Sequence, residues 1–291
     1  MTVNFVRPVL LALSLAAAGG SVAVSQETAS LPKILQITRE FVKPGKAGAL
    51  HDRSESNFVQ ALARAKWPTH YIAYQSLSGK SRVLYITRYD SYEAWQKDND
   101  AMDKNPALSA ELDHAAVNDG ELLDSMDEFV FSRQDDLSLR PHGVSADTRY
   151  LDLTSFHIRP GKMHDFTELV KTVIGIHQKA GTATHWAAYE LDYGGSEEVI
   201  LLSGKRSMAE IDADSADDKK FRDAAGEDVM KDIGSRAADC IVSSDSELFS
   251  VNPRQSYPPD EWVKADPGFW KPKPLAAPAA KPPASAPKPA Q

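Results

Sequence analysis

The sequence predicts an α+β fold of two tandem βαββαβ units, packed sheet to sheet as a single-chain barrel. Three observations carry this. Thr38-Arg39-Glu40-Phe41-Val42-Lys43-Pro44-Gly45-Lys46 is echoed by Thr154-Ser155-Phe156-His157-Ile158-Arg159-Pro160-Gly161-Lys162. Each copy reads as a strand end, a Pro-Gly turn, a lysine and a helix start. Thr69-His70-Tyr71-Ile72-Ala73-Tyr74 is echoed by Thr184-His185-Trp186-Ala187-Ala188-Tyr189. The two pairs keep their order at separations of 116 and 115 residues, a constancy expected of an internal repeat. Around each copy, period-2 and period-3.6 segments follow one another in the same succession.

In the first unit, residues 32–135, Ile34 to Val42 alternates: Leu35, Ile37 and Phe41 fall on one face, Gln36, Thr38 and Glu40 on the other. That is a half-buried strand, ended by Pro44-Gly45. Leu50, Phe58, Leu62 and Ala65 then mark a helix, stopped before Pro68. Thr69 to Gln75 and Val83 to Thr87 are strands joined by a Gly-containing hairpin loop. Ser91 caps a short helix bearing Tyr92 and Trp95. After Asn105-Pro106 a longer helix stripes Leu108, Leu112, Ala115 and Leu122, and Phe129-Val130-Phe131 is the fourth strand. Residues 136–148, with Pro141 and Gly143, have no sustained apolar period and read as a linker.

The second unit, residues 149–252, repeats the order. Tyr150 to Ile158 is a strand. Met163, Phe166, Leu169, Val170, Val173, Ile176 and Ala180 make the cleanest amphipathic helix, stopped at Gly181. Strands follow at Thr184–Leu191 and Val199–Leu202, then a short helix at Ser207. A long helix bears Phe221, Ala225, Val229, Ile233, Ala237 and Ile241, and Leu248 to Val251 is the last strand. This order in each unit is the split βαβ, or ferredoxin-like, arrangement. Alone, each unit would expose its open sheet face; together the two faces can cover each other.

The ends differ in composition. Residues 1–25 read as a signal peptide: Arg7, an apolar run from Val9 to Ala18, and small residues Ala23-Val24-Ser25 before Gln26. The expected location is the periplasm or the exterior, with the apolar run retained as a membrane anchor in the alternative. Residues 253–270 contain Trp262, Phe269 and Trp270 and are expected to dock on a unit. Residues 271–291 are Pro, Ala and Lys with one Leu, one Ser and one Gln, a composition that buries little and suits a disordered or polyproline-like tail. Cys240, the single cysteine, forms no internal disulfide and reads as a small core residue. A net charge of −8 without a basic cluster in the folded region argues against nucleic acid.

The repeat order, the strand ending in Lys43-Pro44-Gly45-Lys46 or Arg159-Pro160-Gly161-Lys162, and the tandem arrangement resemble the dimeric α+β barrel superfamily. That group includes antibiotic-biosynthesis-monooxygenase-like and NIPSNAP-like proteins. The resemblance implies a barrel able to enclose a small molecule, and for some members cofactor-free oxygenation or haem degradation. The haem-handling members place an Asn, a Trp and a His around the cofactor; Gln36 and Asp152 stand on the first strands here, and no matching trio occurs.

His70 with Tyr74, and His185 with Tyr189, are the candidate pocket-lining residues. Four residues apart on a strand, each pair shares a face. An imidazole and a phenol there could exchange protons with a bound molecule, or a histidine could ligate haem iron. The same residues would serve equally as hydrogen-bonded filling of the sheet interface. His51-Asp52 and His164-Asp165 open helices, where an acidic residue is favoured by the dipole. No zinc spacing, phosphate loop or nucleophile elbow occurs, so no metal and no cofactor is called for by the residues. Calcium at Asp212 to Asp218 lacks the required glycine and ligand alternation.

Three functions are compatible with these features. One is an exported protein binding a small apolar molecule or a protein partner, as monomer or homodimer. Another is a monooxygenase-like or haem-associated oxidoreductase using the His/Tyr pairs. The third is an envelope component acting through its tail.

Overall fold

The computed structural model describes residues 31–272. The 1–25 leader and nearly all of the 271–291 tail lie outside the described residues. The first unit runs β1 (Ile34–Val42), α1 (Ala49–Ala65), β2 (Tyr71–Ser76), β3 (Arg82–Tyr89), α2 (Tyr92–Asp103), α3 (Pro106–Gly120) and β4 (Leu123–Arg133). The second runs β5 (Tyr150–Ile158), α4 (Met163–Ala180), β6 (Ala187–Tyr193), β7 (Glu198–Lys205), α5 (Met208–Ala225), α6 (Glu227–Cys240) and β8 (Ile241–Val251). Two short helices follow, α7 (Asp260–Ala265) and α8 (Pro267–Trp270).

The eight strands close into one antiparallel barrel in the order β1-β3-β2-β8-β5-β7-β6-β4. Each unit supplies four adjacent strands. Two seams, β2 with β8 and β4 with β6, join them. Closure leaves no unpaired sheet edge. Strand alternation sends Leu35, Ile37, Ile72, Leu84, Ile86, Leu153, Ile200 and Phe249 inward, where they form the barrel core. The helices pack on the outside.

Several elements follow from local chemistry. Ser91 Oγ accepts from the Ala94 amide at 3.1 Å, starting α2. Asn105 Oδ1 accepts from the Leu108 amide at 3.2 Å, with Pro106 opening α3. Asp217, in the acidic stretch Asp212 to Asp218, lies within α5 and is buried. It accepts the Ala183 and Thr184 amides, tying α5 to the turn before β6.

The structure corrects four expectations. The helix expected through Phe221 and Ile241 breaks at Gly226, whose φ of 79° is a conformation that favours glycine, and Ile241 already belongs to β8. Leu122 and Leu50, expected on apolar stripes, lie off them: Leu122 follows α3, and Leu50 is exposed. Residues 136–148 are not a free connection. Leu137 and Leu139 are buried, Leu139 exchanges both backbone hydrogen bonds with Trp186, and Trp186 Nε1 donates to the Leu137 carbonyl at 2.7 Å. Finally, β1 is covered on both faces. Its polar side lies beneath α1 and α3, and Glu40 is buried there.

The chain after β8 returns to the first unit. Tyr257 pairs with Tyr71, and α7 and α8 lie over one end of the barrel. Trp270 is buried in the barrel core, and Trp262 and Phe269 pack beside it. No helix among the described residues is long and apolar enough to cross a membrane.

Candidate functional site

Tyr74 and Tyr189 point into the barrel from β2 and β6 and line one cavity near its end, with Leu35, Ile72, Arg88 and His142. Tyr189 Oη donates to the Pro32 carbonyl at 3.2 Å. Burial raises both phenols above the ordinary tyrosine value. His70 and His185 lie just outside the same strands. His70 stacks on Tyr257 at 4.7 Å between centroids, and its Nδ1 is buried without a partner. His185 packs edge-on against His142 at 4.8 Å. Burial lowers both imidazoles. The two tyrosines are thus brought together, while each histidine is engaged with its own aromatic neighbour.

The cavity holds only about 50 Å³, a fraction of the roughly 300–1,000 Å³ of ordinary ligand sites. A haem iron needs an imidazole nitrogen facing a flat apolar slot. Tyr257 covers His70, and His185 lies beside this small space, so neither pair accommodates the macrocycle.

A second site lies in the first unit, between its sheet and its helices. A cleft of about 290 Å³ opens there, walled by Phe58, Leu62, Trp67, Tyr71, Tyr85, Tyr89, Met102 and Leu112, with Gln36, Thr38, Glu40 and Glu55 at its polar side. Tyr89 Oη donates to Asp98 at 2.9 Å, and Thr69 Oγ1 donates to the same carboxylate at 2.6 Å. Glu40 and Glu55 connect the cleft to a buried cluster with His51 and Asp119.

Three elements position that cluster. Counting back along α1 from Leu62 and Phe58, the buried stripe continues through Glu55 and His51. Glu40 comes from the outer face of β1, and Asp119 from the last turn of α3. His51 is 0% exposed. Its Nε2 is 3.1 Å from Glu40 Oε2, 3.5 Å from Asp119 Oδ1 and 3.9 Å from Glu55 Oε1. Its Nδ1 is 3.3 Å from Gln255 Nε2, on the returning C-terminal segment. Gln255 also donates to Asp52 Oδ1 at 2.9 Å and accepts from Tyr85 Oη at 3.2 Å.

Three carboxyl groups around one imidazole in a dry interior set each other's protonation. Burial raises Glu40, opposed by its hydrogen bond to His51 and reinforced by Asp119. Burial, then Glu40 and Asp119, raise Glu55 well above the ordinary carboxyl value. For His51, burial works downward, but the close contacts with Asp119 and Glu40 and the charge of Glu55 outweigh it and hold the imidazole at about 10. The native state therefore keeps a proton that an unfolded histidine releases near 6.5. His51 contributes stability in full below about 6.5, and this is lost as pH rises toward about 10. With a chelator present, so that only protons compete for these groups, stability should fall with rising pH in that window, by up to about 1.4 kcal/mol per pH unit. Urea unfolding at a series of pH values checks this; a slope unchanged in His51→Gln would assign it to other groups.

The second unit builds the same place differently. Strand register sets Phe156 where Glu40 stands: Glu40 pairs with Val83 and Met126, and Phe156 with Val199 and Ser244. Aligning the left-handed helix ends at Lys66 and Gly181 sets Phe166 at His51 and Val170 at Glu55. Aligning the starts of β4 and β8 sets Ala237 at Asp119. The Glu40–His51 contact thus becomes a Phe156–Phe166 ring contact at 5.4 Å. Where Tyr89 meets Asp98, the second unit has a buried Lys205 paired with Asp214 at 2.6 Å.

The sequence reading assigned His51 to a helix start, placed Glu40 on the polar face of the first strand, and left Glu55 and Asp119 unremarked. A signal was present: His51 and Glu55, four residues apart, continue an apolar helical stripe that ionisable residues ordinarily avoid.

No protein-family model matches the chain, and no curated protein matches it. Solved structures do resemble it. An anthrone oxidase-like protein aligns with a TM-score of 0.52 at 11% identity, over 77% of this chain and 93% of that one. A monooxygenase-like protein of Fusobacterium nucleatum subsp. nucleatum aligns at 0.50 and 13%, over 76% and 93%. A mutant chlorite dismutase of Candidatus Nitrospira defluvii aligns at 0.49 and 8%, over 82% and 97%. At these identities the likeness concerns the fold alone: the chain has a ferredoxin-like α+β barrel, as those proteins do.

Proposed function

We propose that the protein binds a small aromatic molecule bearing a hydroxyl or an activated C–H in the first unit's cleft and removes a proton from it, with dioxygen as the acceptor of the electrons the deprotonated molecule then gives up. One observation carries this reading. The first unit has an aromatic-walled cleft with buried carboxyls at its polar side, whereas the second unit fills the equivalent positions with Phe156, Phe166 and Val170. Aromatic walls suit a flat apolar ligand. Glu55 and Glu40, both raised by burial, stand at the cleft's polar side, where a carboxyl can exchange a proton with a bound molecule. The solved structure described as anthrone oxidase-like, which shares the fold, fits this substrate class.

Anthrone is a suitable probe, and Trp67 in the cleft wall reports on it by fluorescence. Saturable quenching is expected in the wild type, and Leu112→Trp, which fills the cleft, should weaken it by about tenfold or more, the scale of steric discrimination in a pocket. Glu55→Gln should retain binding and lose deprotonation of the bound probe. Equal affinity in wild type and Leu112→Trp would place the ligand elsewhere and end this reading.

A further inference from the structure

We propose that Glu40, His51, Glu55 and Asp119 bind one divalent first-row transition-metal ion, of the Mn²⁺ or Fe²⁺ type, at the inner wall of the first unit's cleft. Among the described residues these four form a donor set with ligand spacing, one donor atom from each lying within 4.8 Å of the others. Proximity of acidic groups alone would not carry this; two further observations do.

The first is the state of the carboxylates. Asp119 is 2% exposed and Glu55 3%; apart from the long contacts with His51 Nε2, at 3.5 Å to Asp119 Oδ1 and 3.9 Å to Glu55 Oε1, neither Asp119 oxygen nor Glu55 Oε1 has a hydrogen-bond partner. A buried carboxylate without a donor is costly, and protein interiors ordinarily avoid it. These oxygens face the His51 Nε2 and one another. A cation between them satisfies all at once.

The second is that the fold does not require the cluster. The second unit packs Phe156, Phe166, Val170 and Ala237 at the same positions, and Phe166 is among its most buried residues. The barrel is thus built with an apolar layer on one side and an ionisable one on the other. Retaining four ionisable side chains where packed apolar ones suffice points to use.

The support around the four donors also suits a metal. They come from a strand and two helices, and His51 and Glu55 project from one helix face. Around them, Gln255 touches the His51 Nδ1, and Asn252 and Gln255 both donate to Asp52 Oδ1 at 2.9 Å. Such an outer layer fixes ring orientation at metal centres. Imidazole combined with carboxylates selects manganese or iron over calcium or magnesium, which prefer oxygen alone. Because the ion replaces protons shared within the cluster, binding releases protons.

This inference stands on the four side chains and is independent of any aromatic ligand in the cleft. The test uses the full chain, stripped with a chelator and titrated with Mn²⁺ alone, with free Mn²⁺ read by electron paramagnetic resonance. One ion per chain is expected, with proton release seen by calorimetry in two buffers. Asp119→Asn and Glu55→Gln, each isosteric, should weaken binding by about tenfold or more, since even outer-layer changes at metal sites cost roughly that much. Mn²⁺ should raise the melting temperature of the wild type and not of Asp119→Asn. No stoichiometric binding by folded wild type overturns the proposal, as does equal binding by the folded variants. Should one variant fail to fold, the other and the stoichiometry of the wild type still decide.

Discussion

His51→Ala is expected to destabilise the metal-free chain by about 3–5 kcal/mol, the cost of removing one partner from a buried charge cluster. The reason is where the imidazole sits. Its Nε2 lies within 4 Å of Glu40, Glu55 and Asp119, all buried. Its loss leaves three carboxyl groups facing each other across a cavity. The opposite result is expected when all four are exchanged together for the second unit's residues, as Glu40→Phe, His51→Phe, Glu55→Val and Asp119→Ala. Replacing a buried ionic cluster by packed apolar groups is often neutral or stabilising by about 1–4 kcal/mol. Denaturant unfolding of the single and the fourfold variant gives both numbers. A fourfold variant less stable than His51→Ala would show that the cluster holds the fold together, and would remove the contrast between the units as a sign of function.

The other large effect is expected at the barrel's end. Trp270→Ala should cost about 3–5 kcal/mol, the range for a buried aromatic truncated in a core. Trp270 is 5% exposed, belongs to the barrel's own apolar cluster, and donates from Nε1 to the Ala146 carbonyl at 2.9 Å. Trp262 and Phe269 pack on it, with centroids 5.6 and 5.0 Å away. Arg149 is ion-paired with Asp266 and lies 3.9 Å from the Phe269 ring centroid, so the whole terminal turn rests on this anchor. For a chain of this size the melting temperature should drop by about 6 °C or more. A drop within 1 °C would mean that the segment rests on the barrel without contributing to its core.

The fold was legible because its signals are local and repeated. The twin Pro-Gly-Lys turns, the Ser91 and Asn105 caps, and the clean stripe of α4 each act within a few residues, and the constant offset placed them in register. The site was less legible because alternation reports which residues share a face, not what covers that face. Gln36, Thr38 and Glu40 read as the wet side of β1, yet α1 and α3 lie over them. His51 had a sufficient explanation at a helix start, and Asp119 took the stripe position assigned to Leu122. Comparing the units exposed His70 and His185 because they match; the polar cluster was hidden because it differs, with Phe156 and Phe166 opposite Glu40 and His51. Gln255 is 204 residues away from His51 in the chain, a distance over which no periodicity extends.

The seam between β2 and β8 has a consequence for the order of events in folding. A chain emerging from its N-terminus makes β1 to β4 first, but β2 finds its second neighbour only when residues near 250 arrive. Until then the early half carries an open edge and an apolar sheet face. High contact order of this kind slows folding and lengthens the time a nascent chain is prone to associate. Asn252 and Gln255 arrive with that last strand, so the pocket around His51 is sealed as the final act of assembly.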